Sequence, residues 1–125
     1  MTSNKIAKIL LVDDEPDITF TLKYILEDYG FKVNCFNDPL LALKSYICNF
    51  YDLIILDYRM AGLNGLGFIQ NVRKIDNSAK AILVTAWEQQ SFGNEFQKWF
   101  IKILGKPVSE EVLIQEVNHA LNKLD

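Results

Sequence analysis

The sequence predicts a doubly wound α/β fold, with helices on both faces of a five-stranded parallel sheet. Along its 125 residues, short apolar runs alternate with segments in which apolar side chains recur at helical spacing. The runs are almost continuously apolar, which is typical of parallel strands that are buried on both faces. The length fits one domain with a substantial core.

The five apolar runs predict the strands in chain order. They are residues 6–12, 31–36, 52–57, 81–85 and 101–104. The run at 31–36 is more polar than the others, which suits a strand at the edge of the sheet. Two of the runs end on reactive side chains, Asp57 and Thr85.

Helical patterns follow the strands, and several have recognisable start and end signals. Pro16 opens the first helix and Gly30 ends it, while Pro39 opens the second. A third helix follows a glycine-containing loop, and Ser109 caps the closing helix. The apolar positions that these four helices are expected to bury are Ile18, Leu22, Ile25, Leu26 and Tyr29; Leu43, Tyr46, Ile47 and Phe50; Phe68, Ile69, Val72 and Ile75; and Leu113, Val117, Ala120, Leu121 and Leu124.

The segment between the fourth and fifth strands carries aromatic side chains at helical spacing. They are Phe92, Phe96, Trp99 and Phe100. An aromatic stripe on a helix usually packs into the core, which is the first interpretation. In the second interpretation part of the group is exposed and forms a surface for a partner or a dimer. Gly93 lies inside the pattern and disfavours a regular helix there.

Composition and charge exclude several classes of protein. The chain carries 13 basic and 16 acidic residues, a net charge of −3, and its lysines are scattered, which argues against direct binding of nucleic acid. No apolar run approaches the roughly 20 residues that span a bilayer, and no signal peptide is recognisable. We therefore expect a cytoplasmic protein that does not bind membranes.

Neither the cysteines nor the single histidine lie in a catalytic or metal-binding pattern. Cys35 and Cys48 lack companions at metal-ligand spacing, and a disulfide is disfavoured in the cytosol, so both are expected to be buried thiols. His119 lies in a helical pattern and is expected to be a packed or solvated side chain.

Reactive side chains stand at the ends of four predicted strands, where the ligand crevice of a parallel α/β sheet lies. They are Asp13, Asp14, Asp57, Thr85 and Lys106. Carboxylates held close together repel one another and need a divalent cation or shifted pKa values, and oxygen ligands favour Mg²⁺. With a lysine and a hydroxyl beside them, these carboxylates could form a pocket for a phosphoryl group next to a carboxylate nucleophile.

This residue set resembles that of the response-regulator receiver domains of two-component signalling. The resemblance covers residues 5–123. It implies a flavodoxin-like (βα)5 fold with strand order 2-1-3-4-5. It also implies a cis peptide bond between Lys106 and Pro107.

The resemblance assigns a role to each reactive residue. Asp57 matches the phosphoacceptor, Thr85 matches the hydroxyl that hydrogen-bonds the phosphoryl group, and Lys106 matches the lysine that pairs with it. The implied Mg²⁺ ligands are Asp14 directly, Asp13 through water, the side chain of Asp57 and the backbone carbonyl of Arg59.

The resemblance also implies partners. The expected phosphodonor is a sensor histidine kinase, a phosphotransfer protein or a small molecule. The expected target is an effector protein or a second copy, contacted through the face formed by the fourth helix, the fifth strand and the fifth helix. The domain is expected to catalyse only its own phosphorylation and dephosphorylation. Residues 1–125 are expected to form a single receiver domain with no output domain, although a fragment of a longer regulator would look the same.

The chain departs from the family's pattern in the parts that transmit the signal. Ile103 stands where an aromatic ring usually follows the threonine on phosphorylation, and Met60-Ala61-Gly62 replaces a common Met-Pro pair. The sequence between the threonine and the lysine is about one residue short, and Lys98-Trp99-Phe100 replaces a turn of small residues. These changes predict a fourth helix that is shortened, displaced or mobile.

Two large side chains, Arg59 and Trp87, stand two positions after Asp57 and Thr85. These positions flank the route of the water that would hydrolyse an aspartyl phosphate. We therefore expect slow autodephosphorylation.

Two other classes of protein use related residues. A haloacid-dehalogenase-like phosphohydrolase also combines an aspartate nucleophile with Mg²⁺. That family places the nucleophile on the first strand and a second aspartate two positions later, whereas the residue two positions after Asp13 is Glu15. A flavodoxin-like nucleotide binder needs a phosphate loop after the first strand, where Asp13-Asp14-Glu15 would repel a phosphate. Turnover of a phosphomonoester would favour the first of these alternatives.

Overall fold

The computed structural model describes residues 5–86 and 92–121, and its strands form one parallel sheet. The strands are β1 (Lys8–Val12), β2 (Lys32–Phe36), β3 (Leu53–Leu56), β4 (Ala81–Thr85) and β5 (Lys102–Gly105). The helices are α1 (Pro16–Asp28), α2 (Pro39–Lys44), α3 (Gly65–Ile75), α4 (Asn94–Gln97) and α5 (Glu110–Ala120). The sheet order β2-β1-β3-β4-β5 confirms the predicted fold.

Alternate side chains of each central strand enter two separate cores, one on each face of the sheet. In β1, Ile9 and Leu11 pack with residues of α1 and α5, whereas Leu10 and Val12 pack with residues of α2 and α3. Both sets are almost completely excluded from water. This arrangement explains why the strands are continuously apolar in sequence.

Short polar side chains cap the start of three helices, and Ser109 does so as predicted. Asp38 accepts a hydrogen bond from the backbone of Leu40, and Ser109 accepts one from Val112. Asn64 caps α3 in the same way, accepting from the Gly67 N–H at 2.8 Å. These bonds satisfy backbone N–H groups that have no partner within the helix.

The second helix is shorter than its apolar pattern indicates. It ends at Lys44, and the following loop folds back onto the buried carboxylate of Asp76, which accepts hydrogen bonds from Tyr46 Oη at 2.8 Å and from the Asn49 N–H at 3.1 Å. Asn49 adopts a positive φ of 66°, which ends any helical path. The prediction that this helix buries Ile47 and Phe50 was therefore wrong, and both are exposed.

The two cysteines differ in exposure. Cys35 is half-buried, whereas Cys48 lies in the loop after α2 and is exposed. The prediction that both thiols are buried was wrong for Cys48, because the early end of α2 places this residue outside the core. His119 is solvent-exposed.

The aromatic segment packs against the α2–α3 face of the sheet. Phe92 and Phe100 are buried, and Phe96 and Trp99 are half-buried against the same core. The guanidinium of Arg73 lies 5.4 Å from the centre of the Trp99 ring. The core interpretation of this group is confirmed, and α4 is a single turn within the described residues.

Two sequence-based expectations concern parts of the chain that the structure does not describe. Trp87 and Leu124 lie outside residues 5–86 and 92–121. Slow autodephosphorylation therefore stays a prediction. Over the described residues, no helix combines the length and the apolar character that a membrane span requires.

Substituting Gly65 by alanine is expected to lower the free energy of unfolding by about 2 kcal/mol. A Cβ at this position would lie 2.4 Å from the carbonyl oxygen of Asp57 and 3.1 Å from Cα of Tyr58. Because both contacts are backbone, the loop that carries Asp57 would have to move. Urea unfolding followed by circular dichroism measures the change.

Gly93→Ala is the matched control, since a Cβ there has no neighbour within 4 Å. It should leave stability within about 0.5 kcal/mol of the parent. Equal stabilities of the two variants would show that the close contact at Gly65 is unimportant.

Candidate functional site

The ends of β1 and β3 bring two buried aspartates together. The register pairs Val12 with Leu56, so Asp13 and Asp57 follow at the same edge of the sheet. The Asp57 N–H continues the ladder by donating to the Val12 carbonyl at 3.1 Å. Asp13 is 3% exposed and Asp57 is 7% exposed. Two carboxylates are thus withdrawn from water side by side, which is unfavourable unless positive charge is near.

Lys106 supplies that positive charge from the end of β5. The register pairs Thr85 with Gly105, and the Lys106 N–H donates to the Thr85 carbonyl at 2.8 Å. Its ammonium Nζ donates to Asp13 Oδ2 at 2.7 Å and to Asp57 Oδ2 at 2.9 Å. The Lys106–Pro107 peptide bond is cis, as the resemblance implied.

A third carboxylate completes the partners of this ammonium. Glu15 Oε1 lies 3.2 Å from Lys106 Nζ. Its side chain is 63% exposed, so it lies on the solvent side of the other two. The sequence contained a signal for this residue, because Glu15 directly follows Asp13-Asp14, but Glu15 was not among the predicted site residues.

Burial and mutual hydrogen bonding shift the pKa values of Asp13 and Lys106. Burial raises the pKa of Asp13 above its ordinary value of 3.8, and the hydrogen bond from Lys106 only partly offsets this effect. Burial alone would lower the pKa of Lys106, but its hydrogen bonds to Asp13 and Asp57 outweigh burial and raise it far above the usual range. Lys106 is therefore a permanent cation, and three carboxylates share its single charge.

Asp57 is held at both of its oxygens. Oδ2 accepts from Lys106, and Oδ1 accepts from the backbone N–H of Tyr58 at 2.7 Å. Thr85, at the end of the neighbouring strand β4, is 1% exposed. The site thus presents an oriented carboxylate flanked by an ammonium and by a strand end that carries a hydroxyl, which suits nucleophilic attack on an electrophile that gains negative charge.

The carboxylates could also hold a metal ion. Oxygens of Asp13, Glu15 and Asp57 all lie within 4.8 Å of one another. An all-oxygen donor set of this kind fits a hard divalent cation such as Mg²⁺. The structure therefore brings together two of the predicted metal ligands and adds Glu15.

The other two predicted metal ligands lie beside the β3–α3 loop. Asp14 is half-buried, and its Oδ2 accepts from the Ala61 N–H at 3.1 Å. Asp14 and Arg59 line one open cleft, together with Tyr58, Met60, Ala61 and Asn64. Asp14 is not part of the close carboxylate group, since its side chain contacts the loop.

The residue after Asp57 connects the site to the aromatic segment. The Tyr58 ring meets Phe92 and Phe96 edge to face, at centroid distances of 5.5 and 5.3 Å. Phe92 and Phe96 stack on each other at 4.2 Å. Ile103 is half-buried against the same core, so an aliphatic side chain fills the position where the family usually has a ring.

Comparison with known proteins agrees with this geometry. The family model of the response regulator receiver domain matches residues 9–118. The transcriptional regulatory protein CpxR homolog of Haemophilus influenzae is 31% identical over 117 residues, which cover 94% of this chain and 51% of that protein. The sensor histidine kinase GacS of Pseudomonas protegens is 27% identical over 121 residues, which cover 92% of this chain and 13% of that protein.

Solved structures show the same architecture. The response regulator protein TrrA from Thermotoga maritima, solved in complex with Mg(2+)-BeF, is 32% identical with a TM-score of 0.84, and the match covers 93% of this chain and 100% of that one. A receiver domain protein from Clostridium thermocellum is 28% identical with a TM-score of 0.84, covering 94% and 96% of the two chains.

The matched relatives include transcriptional regulators and histidine kinases, which are components of two-component signalling. The chain spans about half the length of the CpxR homolog and a quarter or less of the length of two further regulatory relatives. A receiver domain is a signalling domain. Because the family model matches most of the chain, this protein belongs to the response regulator receiver domain family of two-component signal transduction.

Proposed function

We propose that Asp57 is the residue that accepts the phosphoryl group. The observation that carries this assignment is the ammonium of Lys106 hydrogen-bonded to the buried carboxylate of Asp57 at a sheet edge shared with Asp13. The donor is a phosphohistidine of a sensor histidine kinase or phosphotransfer protein, or a small phosphodonor. The reaction takes place in the cytoplasm, and the domain catalyses only its own phosphorylation and dephosphorylation.

In the proposed transfer, a carboxylate oxygen of Asp57 attacks phosphorus in line with the bond to the donor. The new oxygen–phosphorus bond forms as the donor's nitrogen–phosphorus or oxygen–phosphorus bond breaks, and the leaving group keeps the electron pair. Lys106 Nζ and the hydroxyl of Thr85 then stabilise the charge on the phosphoryl oxygens. Both groups approach from neighbouring strand ends, which suits stabilisation of the equatorial oxygens.

The proposed cofactor is Mg²⁺. Its direct ligands would be the side chains of Asp14 and Asp57 and the backbone carbonyl of Arg59. Asp13 would bind through water, and Glu15 lies close enough to Asp13 and Asp57 to contribute. When bound, the ion supplies positive charge that neutralises the carboxylates and the transferring phosphoryl group.

The proposed output is a change of the surface formed by α4, β5 and α5. The phosphoryl group carries about two negative charges, whereas the free Asp57 carboxylate carries one, so the site gains about one negative charge beside Asp13. Lys106 and Thr85 would shift to meet the phosphoryl oxygens. Because Lys106 directly follows β5 and Thr85 ends β4, a shift of either residue reaches that surface, where an effector protein or a second copy would bind.

Treatment with acetyl phosphate and Mg²⁺ is expected to add one phosphoryl group, detected by intact-mass spectrometry. Asp57→Asn should abolish the addition, because the amide is a far weaker nucleophile than the carboxylate. Asp52→Asn is the matched control, since Asp52 stands at the opposite end of the same strand. Addition that survives Asp57→Asn would refute the assignment, and turnover of a phosphomonoester would support a phosphohydrolase instead.

Asp14→Asn is expected to weaken Mg²⁺ binding by about tenfold or more. Removing the charged oxygen of a direct ligand leaves fewer carboxylates to offset the cost of dehydrating the ion. Calorimetric titration of the unphosphorylated protein measures the affinity, with Asp52→Asn as control. Unchanged affinity would mean that the ion is held by Asp13, Glu15 and Asp57 without Asp14.

Asp13→Asn is expected to raise the melting temperature by roughly 3–5 °C at neutral pH in the presence of a chelator, which corresponds to about 1 kcal/mol for a domain of this size. The pKa of Asp13 is higher in the folded protein than in the unfolded chain, so its ionisation opposes folding. The gain should shrink as the pH falls towards 3.8, where the carboxyl becomes protonated in both states.

Asp17→Asn, which removes an exposed carboxylate from the first turn of α1, should give no such gain. A lower melting temperature for Asp13→Asn would indicate that its ion pair with Lys106 outweighs the cost of burying the charge.

A further inference from the structure

We propose that Glu15 is a positioning residue that restrains Lys106 in the unphosphorylated domain and so disfavours small dianionic phosphodonors. The inference rests on the proposed phosphorylation of Asp57. It assigns a function to a side chain that the family resemblance leaves without one. It also predicts that the charge of a donor influences how fast this domain reacts.

The backbone of Glu15 directs its side chain towards the pocket. Glu15 is the N-cap residue of α1, with an extended conformation (φ −101°, ψ 109°), and its side chain makes no capping hydrogen bond. The backbone N–H of Glu15 donates to Asp13 Oδ1 at 3.0 Å. This bond anchors the residue at the pocket, and Glu15 Oε1 lies 3.2 Å from Lys106 Nζ.

The three partners of Lys106 differ in their exposure to solvent. The side chains of Asp13 and Asp57 are 4% and 8% exposed, whereas that of Glu15 is 63% exposed. Glu15 is therefore the outermost carboxylate, on the side from which a donor arrives from solvent. The side chain of Lys106, whose ammonium lies between them, is itself only 13% exposed.

This arrangement places a negative charge where an incoming phosphoryl group must find a positive one. The three N–H groups of the Lys106 ammonium are all occupied, so a contact with the phosphoryl oxygens requires that one bond be exchanged. The bond to Glu15 is the longest and the most exposed of the three, which makes it the one that a donor arriving from solvent displaces. A dianionic donor is also repelled by the Glu15 carboxylate, and solvent screening keeps this effect modest. A donor of lower charge experiences less repulsion.

The reaction that tests the proposal is phosphorylation by acetyl phosphate. The bond between Asp57 and phosphorus forms as the phosphorus–oxygen bond to acetate breaks, and acetate leaves with the electron pair. Lys106 stays protonated throughout. Phosphoramidate, which carries less negative charge near neutral pH, transfers the same group with ammonia as the leaving group after protonation.

Glu15→Gln is expected to increase the rate with acetyl phosphate by roughly three- to fivefold, and the rate with phosphoramidate by less. Rates are measured by time-resolved intact mass at a Mg²⁺ concentration that saturates each protein, so that metal affinity does not enter. Added salt should reduce the difference between Glu15→Gln and the parent, because screening weakens the repulsion. Glu15→Asp retains the charge and should restore a rate close to that of the parent.

Asp17→Asn is the matched control, because it removes the same charge from an exposed residue two positions further along the chain. Its rate should equal that of the parent. A Glu15→Gln rate equal to or below the parent's would overturn the proposal, as would an increase that is the same for both donors and insensitive to salt. The failure of the parent itself to gain a phosphoryl group would instead refute the function of Asp57.

Discussion

One ammonium group holds the candidate site together. Asp13 and Asp57 are both nearly excluded from water, and two buried carboxylates so close to each other would be strongly unfavourable without a cation. Lys106 donates to both of them. Because it arrives from β5, two strands away from β3, this contact also ties the far side of the sheet to its centre.

The topology of the sheet is what makes this contact possible. The order β2-β1-β3-β4-β5 places β1 beside β3, so residues far apart in sequence end at one edge. Two separate cores fix the register on both faces of the strands. A one-residue slip would move every inward side chain to the wrong face and would separate Asp13 from Asp57. The packing of the apolar strands therefore determines the position of the charged groups.

The strand ends could be predicted from sequence because each continuous apolar run stops at a polar residue, and parallel strands share one carboxyl edge. The contact of Glu15 with Lys106 was missed although Glu15 directly follows Asp13-Asp14, because a carboxylate at a helix start is usually a local feature and this contact depends on the tertiary fold. The end of α2 was missed for a similar reason. Its apolar pattern continues past Lys44, but the buried Asp76 draws the loop away through Tyr46 and Asn49.

Tyr58 contacts both the candidate site and the aromatic segment. Its N–H binds the carboxylate of Asp57, and its ring packs against Phe92 and Phe96 beside α4. Tyr58 therefore joins the carboxyl end of β3 to the aromatic segment through one side chain, without a contribution from β5. Ile103, at the position where the family usually has a ring, packs half-buried against the same core, so the aromatic rings near the site come from the segment before β5.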